Sequence, residues 1–495
     1  MNIQQKLFSA YAWNVAGKWG ARLLGIGSTL ILVRLINPES FGLVALATFY
    51  IGLFQVFTDI SANRYAIAKG KLSDEQLNTN WSYGVVLRLT ITLALVLSSE
   101  FLASFVNEPQ LALLIVVISI NGFFASFNNV GLVRLESELD FKRITLLGVA
   151  TKFLSIVVTV TVAFYYPNHW ALIAGGIVSV WFYLVGSYLI YPYSPRFSLK
   201  RDRELLSFSS FVLIRGIVRY FRNKADTFFV ARFFNASSVG KYNIGLEFAS
   251  LPFSEVIMPA SQAMFPGLAQ FRDDRAQLFD KTYKYFAMVY MFVIPSMVGI
   301  WVIAEQFTNV ILGEKWVGTG PIMAALAVMM LPYTLTGISN NLYDFLDKTK
   351  ASIFNDAIGL LLLLFLVFTF TFDDVGEFAE YRGWVGFSAF VIAIIYNRLM
   401  IKLSLRKMLL VIGLPSIAGA VMYAFFQYVY VNQELTMVGM LVNMTLGALI
   451  YSGTFLTLLK LVSPYSAIWR FWHEKVNSLT QHLYKKVRTW QKSAG

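Results

Sequence analysis

Long apolar stretches fill most of this chain, and they leave it very few ways to fold. Fourteen segments reach the length a helix needs to cross a bilayer, about 20 residues. They run over 10–36, 41–68, 81–106, 111–134, 144–166, 170–193, 208–234, 240–269, 283–306, 321–346, 351–372, 383–401, 408–430 and 437–462. Lipid offers no partner for peptide N–H and C=O groups, so such segments satisfy themselves as helices. Only 14% of residues are charged, against roughly 25% in soluble domains. The chain therefore reads as an all-α polytopic membrane protein. The first stretch contains Lys18 and Arg22 and lacks a small-residue cleavage site, so it reads as a retained span.

Several chemistries are excluded early. The chain has no cysteine, hence no disulfide framework, thiolate metal site or thiol nucleophile. His169, His473 and His482 are too dispersed for a histidine metal site. The net charge of +13 points to topology rather than to nucleic acid. With the N-terminus inside, inner segments hold 24 basic residues and outer loops 4 (Arg34, Lys241, Lys315, Arg382). That bias places both termini in the cytoplasm. The longest outer loops, 307–320 and 373–382, are too short for a catalytic domain; Asp373, Asp374, Glu377, Glu380 and Arg382 read as a solvated loop.

The stretch VRLINPESFGLVALA (33–47) recurs as ARFFNASSVGKYNIG (231–245). At an offset of 198, Arg34, Asn37, Ser40 and Gly42 meet Arg232, Asn235, Ser238 and Gly240. Each copy joins two spans at the outer face, and six spans separate the copies. An even number preserves orientation, so the pattern predicts two parallel, pseudo-symmetric six-helix lobes around a cleft. The expected division is 1–205 (N-lobe), 206–407 (C-lobe), 408–462 (two further helices) and 463–495 (a basic amphipathic tail).

The remaining 13 basic residues lie inside expected spans. Arg215, Arg219, Arg222 and Asp226 repeat at helical spacing on one face of the seventh span. Asn14, Lys18 and Arg22 do the same on the first, and Lys152 sits in the fifth. A charge at the bilayer centre costs at least about 2.5–3.5 kcal/mol, so such residues turn toward a wet cavity or a partner. Clustered guanidinium groups suit a phosphorylated amphiphile, because their donors pair with phosphate oxygens two at a time. Deep acids, Asp59, Glu247, Glu255, Asp344 and Asp356, are candidate counter-charges or proton and cation sites. Asp226 is also a candidate counter-ion to Arg222, one turn away. No bound cofactor or metal is expected. In the tail, Ile468, Trp472, Val476, Leu479, Leu483, Val487 and Trp490 form an apolar stripe opposite Lys475, Lys485, Lys486 and Arg488. It reads as a helix on the anionic inner leaflet.

Five stretches, RLINPESFGLVALA, LESELDFKRI, ADTFFVARFFNASSVGKYNIGLEFASLP, AMFPGLAQ and ILGEKWVGTGP, resemble the bacterial polysaccharide exporters. These are lipid-linked oligosaccharide flippases of the multidrug/oligosaccharidyl-lipid/polysaccharide superfamily. The run after Asp59, DISANRYAI, departs from the DLGL type found in many relatives. The resemblance implies a bacterial inner-membrane protein that moves an undecaprenyl-pyrophosphate-linked oligosaccharide outward for surface polysaccharide synthesis. It also implies a central cationic cavity, coupling to a proton or sodium gradient, and polysaccharide polymerase or assembly proteins as partners. Competing readings are a peptidoglycan lipid-precursor flippase, a cation-coupled drug antiporter of the same superfamily, a channel, and a membrane glycan polymerase or ligase.

Overall fold

The computed structural model describes residues 3–58, 73–199, 203–429 and 435–493; the side chains at 3–8, 10, 11, 57, 58, 203–215, 262, 263, 349, 479 and 482–493 fall outside the description. Among the described residues, nine α-helices come first: α1 (Ile3–Leu35), α2 (Pro38–Thr58), α3 (Asp74–Phe105), α4 (Gln110–Phe124), α5 (Leu132–Ser137), α6 (Phe141–Tyr165), α7 (His169–Ile190), α8 (Arg203–Phe233) and α9 (Ala236–Pro252). A π-helical turn, Phe253–Ile257, leads into α10 (Met258–Ala269). Then follow α11 (Arg275–Phe307), α12 (Thr319–Ala327), α13 (Met330–Phe345), α14 (Thr349–Thr369), α15 (Val375–Ile401), α16 (Leu405–Ala424), α17 (Met437–Val462) and α18 (Ala467–Ser493). The described residues contain no strand.

Helix occupies most of the described part of every expected span, and among the described residues 11 helical segments are long and apolar enough to cross a membrane. The other three expected spans, the first, seventh and eighth, are helical but too polar for that criterion. They are the ones that carry Lys18 and Arg22, the arginine stripe, and Glu247 with Glu255. Pro252 and Pro259 bracket the π turn that holds Glu255. Each proline removes an N–H from the helical ladder, and the widened turn absorbs the mismatch.

Two expectations need adjusting. Residues 375–382 are not a solvated loop: Asp374 caps α15 by accepting from the Glu377 N–H at 2.8 Å, and Arg382 is only 1% exposed. The blurred border near Arg398 and Lys402 is sharp in space. Lys402 takes φ +62°, ending α15, and Ser404 caps α16 two residues on.

Two compact units emerge, residues 1–243 with 312–316, and 244–311 with 317–495. The first therefore extends past 205, because α8 packs on α2. The Tyr220 hydroxyl donates to the Phe49 carbonyl, and Gly216 faces Val56. Phe49 also stacks on Phe228 at 5.7 Å. In the second unit α11 is the central helix, burying Tyr283, Phe286, Tyr290, Val293 and Val298. The last span packs on it: Tyr451 donates to the Met291 carbonyl at 2.9 Å, and Asn443 Nδ2 to Gln306 Oε1 at 2.9 Å.

The duplicated stretch folds the same way twice, and both copies up to Asn243 lie in the first unit. Asn37 caps α2 by accepting from the Ser40 N–H at 3.1 Å; Asn235 caps α9 by accepting from the Ser238 N–H at 2.9 Å. Such a cap is worth about 1 kcal/mol. The two helix starts then cross with their backbones touching. A Cβ on Gly42 would overlap the Ala236 carbonyl, and one on Gly240 would overlap the Pro38 carbonyl. Only glycine permits that approach. Flanking segments lock it. Trp316 is fully buried and donates Nε1–H to the Val33 carbonyl at 2.7 Å, while Lys315 reaches the Leu35 carbonyl at 2.9 Å. On the other copy, Glu108 accepts from the Ala236 N–H at 2.9 Å, and Arg232 lies 5.5 Å from the Phe105 ring centre. This is why 312–316, part of ILGEKWVGTGP, belongs to the first unit.

Candidate functional site

The odd-numbered spans α1, α3, α6 and α8 all run toward the outer face under the charge-derived topology, so depth can be counted back from their C-terminal ends. Lys18 and Arg22 lie 17 and 13 residues before Leu35. Lys152 lies 13 before Tyr165, and Arg219 and Arg222 lie 14 and 11 before Phe233. At 1.5 Å per residue the five cations fall roughly 17–26 Å below the outer helix ends. Each thus stands well inside its own helix, at a distance from the C-terminal end that a side chain cannot span.

The cation of α6 packs against α1. The Lys152 ammonium packs into the notch left by Gly25, with Nζ 4.0 Å and Cε 3.7 Å from where a Cβ would stand. Gly25 follows Lys18 by seven residues, two turns along the same face as Asn14, Lys18 and Arg22. Lys18 and Lys152 are exposed, and Asn14 and Arg22 half-buried. Lys152 therefore joins the α1 stripe as a second wall. Nearer the inner end, α1 and α6 are held by the Thr145 methyl against Gly17 and by Lys142 over the Trp13 ring.

On α8 the stripe lies about 110° around the helix from Gly216 and Tyr220, which pack on α2. Its exposure falls toward the outer end: Arg219 is exposed, Arg222 half-buried, Asp226 2% exposed. Arg222 Nε donates to Asn223 Oδ1 at 3.1 Å. Asp226 accepts from the Tyr242 hydroxyl at 3.0 Å, tying α8 to α9 just below the glycine crossing. The stripe is thus accessible below and sealed above. Arg215 lies on α8, with its side chain outside the description. Gly216 and Tyr220, the offset counterparts of Lys18 and Arg22, serve packing, which explains why the two stripes sit out of register.

The candidate acids divide by unit. Asp59 lies outside the described residues. Glu247 is exposed on α9, and Glu255 accepts from the Ser254 hydroxyl at 2.6 Å. Asp344 stands in the last turn of α13, half-buried. Asp356 is 1% exposed and accepts from Asn340 Nδ2 at 2.9 Å. Asn355 Nδ2 donates to Asn340 Oδ1 at 3.2 Å. A second group adjoins on α13 and α15: Tyr343 donates to Asn397 Oδ1 at 2.8 Å and Asn397 Nδ2 to Ser339 Oγ at 3.0 Å. Sequence reading reached Asp356 but passed over Asn340, Asn355 and Asn397. Their signal was an amide inside an apolar run. No group of three or more metal-ligating side chains occurs among the described residues.

The fold defines a multi-pass, all-helical membrane protein, whose first unit carries basic residues midway along several of its helices. The chain belongs to the polysaccharide biosynthesis protein family, whose model matches residues 31–321. It is 25% identical over 335 residues to the lipopolysaccharide biosynthesis protein WzxC of Escherichia coli K12, covering 67% of this chain and 68% of that one. It is 24% identical over 318 residues to the succinoglycan biosynthesis transport protein ExoT of Rhizobium meliloti 1021, covering 64% of each. Its fold is similar to that of the lipid II flippase MurJ in an inward closed conformation, with TM-score 0.73 at 15% identity over 91% of this chain and 99% of that one. A multidrug resistance transporter of the MATE family, inward-facing, gives TM-score 0.58 at 16% identity over 77% and 94%.

Proposed function

We propose that the protein is a lipid-linked oligosaccharide flippase, carrying a polyprenyl-pyrophosphate-linked glycan from the inner to the outer leaflet for surface polysaccharide synthesis. The observation that carries this reading is the Lys152 ammonium seated on the Lys18–Arg22 face of α1. A pyrophosphate presents several anionic oxygens, and guanidinium groups, which Arg22, Arg215, Arg219 and Arg222 would supply, pair with such oxygens two donors at a time. The related proteins named for lipopolysaccharide and succinoglycan biosynthesis support the glycan part. The reading places the protein in a bacterial inner membrane with both termini cytoplasmic. The repeat supports two six-helix lobes, 1–205 and 206–407, acting by alternating access.

A drug antiporter would want carboxylates facing its ligand, and the acid on the arginine stripe of α8, Asp226, is engaged by Tyr242. A carrier rather than a polymerase or ligase is the reading favoured by outer loops too short for a catalytic domain. Coupling to a proton or sodium gradient would fall to the deep acids, with Asp356 and its asparagine partners the best-connected candidate and Glu247, Glu255, Asp344 and Asp59 the others. Polymerase or assembly proteins are the partners this function calls for.

The test is complementation. In a strain lacking the chromosomal copy, Arg219→Ala and Arg222→Ala are expected to abolish surface glycan at unchanged membrane protein level. Normal surface glycan in both variants removes these arginines from the mechanism.

A further inference from the structure

The last helix, α18, lies outside the stretch that the family model matches, 31–321. It is not among the helices apolar enough to cross a membrane. The second unit holds it by its first turns. Ile468 and Trp469 are buried, at 6% and 0% exposure, and the Trp469 ring meets Phe455 of α17 edge-on at 5.8 Å. Trp469 Nε1–H donates to the Leu410 carbonyl of α16 at 3.1 Å, and Trp472 Nε1–H to the Lys284 carbonyl of α11 at 3.0 Å. The Lys284 ammonium lies 4.9 Å from the Phe471 ring centre. The described hydrogen bonds and ring contacts between α18 and the other helices come from these three aromatic residues.

Those contacts set the height of α18. Leu410 and Lys284 stand just inside the expected spans 408–430 and 283–306, both at the inner border under the charge-derived topology. Trp469 and Trp472 are one turn apart and find partners at nearly the same depth, so the helix sets out along the inner surface. α17 reaches the same face at Val462, with Lys460 in its last turn, and only residues 463–466 separate the two helices.

Past Trp472 the backbone stays helical to Ser493. Its period carries Val476, Leu479, Leu483, Val487 and Trp490 onto the face of Ile468 and Trp472. At about 100° per residue, Arg470, Lys485, Arg488 and Lys492 fall opposite that face, while Lys475 and Lys486 fall at its border. Glu474 is the one acid of the helix. A border lysine lays its methylenes on apolar surface and lifts its ammonium to the level of a phosphate. An apolar face with a basic border, held at the inner headgroups, matches an anionic leaflet in both chemistry and position.

We propose that α18 from Val476 to Trp490 is a binding site for anionic phospholipid headgroups of the inner leaflet, and that Trp469 and Trp472 form the joint that holds it there. This role does not depend on what the protein transports. The excess of basic residues and the height of the joint favour lipid over a protein partner as the occupant of this face.

The chain has no cysteine, so a single introduced one is a unique site for a spin label. Leu483→Cys, on the apolar face, and Gln481→Cys, opposite it, are labelled in the full chain. Each is placed in nanodiscs of phosphatidylcholine alone or with about one third phosphatidylglycerol. Collisions with oxygen report acyl-chain exposure, and collisions with a soluble nickel chelate report water exposure. In anionic discs the label at 483 is expected to favour oxygen and the label at 481 nickel. In phosphatidylcholine alone, nickel access at 483 is expected to rise about threefold or more. Lys485→Glu, Lys486→Glu and Arg488→Glu together are expected to reproduce that rise in anionic discs. Should that variant fail to fold, the comparison of the two lipids still decides. A label at 483 that does not respond to lipid charge, whichever reagent it favours, overturns the proposal. A label at 483 shielded from both reagents also overturns it, because a partner protein or a second copy then covers the face.

Discussion

Gly42 and Gly240 occupy each other's side-chain space: a Cβ on Gly42 would stand 2.9 Å from the Gly240 amide nitrogen, and one on Gly240 would stand 3.1 Å from that of Gly42. The relation is reciprocal because the two come from copies of one repeated stretch. The chain writes its hinge twice so that the copies can meet, backbone on backbone, at the outer ends of α2 and α9.

Alanine at either glycine should therefore force the helix starts apart. Overpacking of this kind costs about 1–3 kcal/mol. Gly42→Ala and Gly240→Ala are each expected to lower the apparent thermal midpoint of the purified protein. The double variant should lose less than the sum, since both changes open the same seam. Additive losses would show that the two positions act separately.

The caps beside them should behave alike. Asn37→Ala and Asn235→Ala each remove one side-chain acceptor from a helix start, and each is expected to cost about 1 kcal/mol. Replacement by Asp or Ser should restore most of it. Denaturation midpoints of the four variants provide the comparison.

Gly25 gives a test aimed at Lys152 without touching a charge. Gly25→Leu fills the notch that holds the ammonium and is expected to reduce glycan export as far as Lys152→Met does. Gly20 and Gly27 have no atom within 4 Å of their would-be Cβ. Gly20→Leu and Gly27→Leu on the same helix should leave export near normal. The readout is surface glycan at matched protein level.

A pH dependence follows from Glu136 on the inner connection. Burial pushes its carboxyl above the ordinary value, roughly 4.3 in a free chain. A raised folded pKa means the protonated form is favoured on folding. Its contribution to stability is therefore greatest below the unfolded pKa and falls as pH rises through the folded one. Glu136→Gln is expected to raise the thermal midpoint at pH 7–8, with the gain shrinking toward pH 4. A gain that is constant across that range would contradict the burial account.

Much of this was legible in the residues alone, for identifiable reasons. The helices were, because bilayer length and the need to satisfy backbone groups leave one solution. The hinge was, because Asn, Ser and Gly recur at fixed spacing; what could not be read was that the copies touch, since contact between segments 198 apart leaves no local trace. The cation stripes on α1 and α8 stood out through their period of about four. Lys152 was legible as a deep charge but not in its direction, because a single basic residue in an apolar run has no periodicity to aim it; the notch at Gly25 does. Arg382 looked like loop charge because Asp373, Asp374, Glu377 and Glu380 surround it, yet the helix starting at Val375 turns it inward.

The central claim is that deep cations of the first unit hold the pyrophosphate during transfer between leaflets. Its most direct test is a leaflet-accessibility assay in sealed vesicles, using a defined lipid-linked oligosaccharide and an impermeant sugar-modifying probe. With the parent protein, substrate placed in one leaflet should become accessible in the other, and Arg219→Ala or Arg222→Ala should cut that rate at least tenfold. Transfer at the parent rate in both variants would contradict the account.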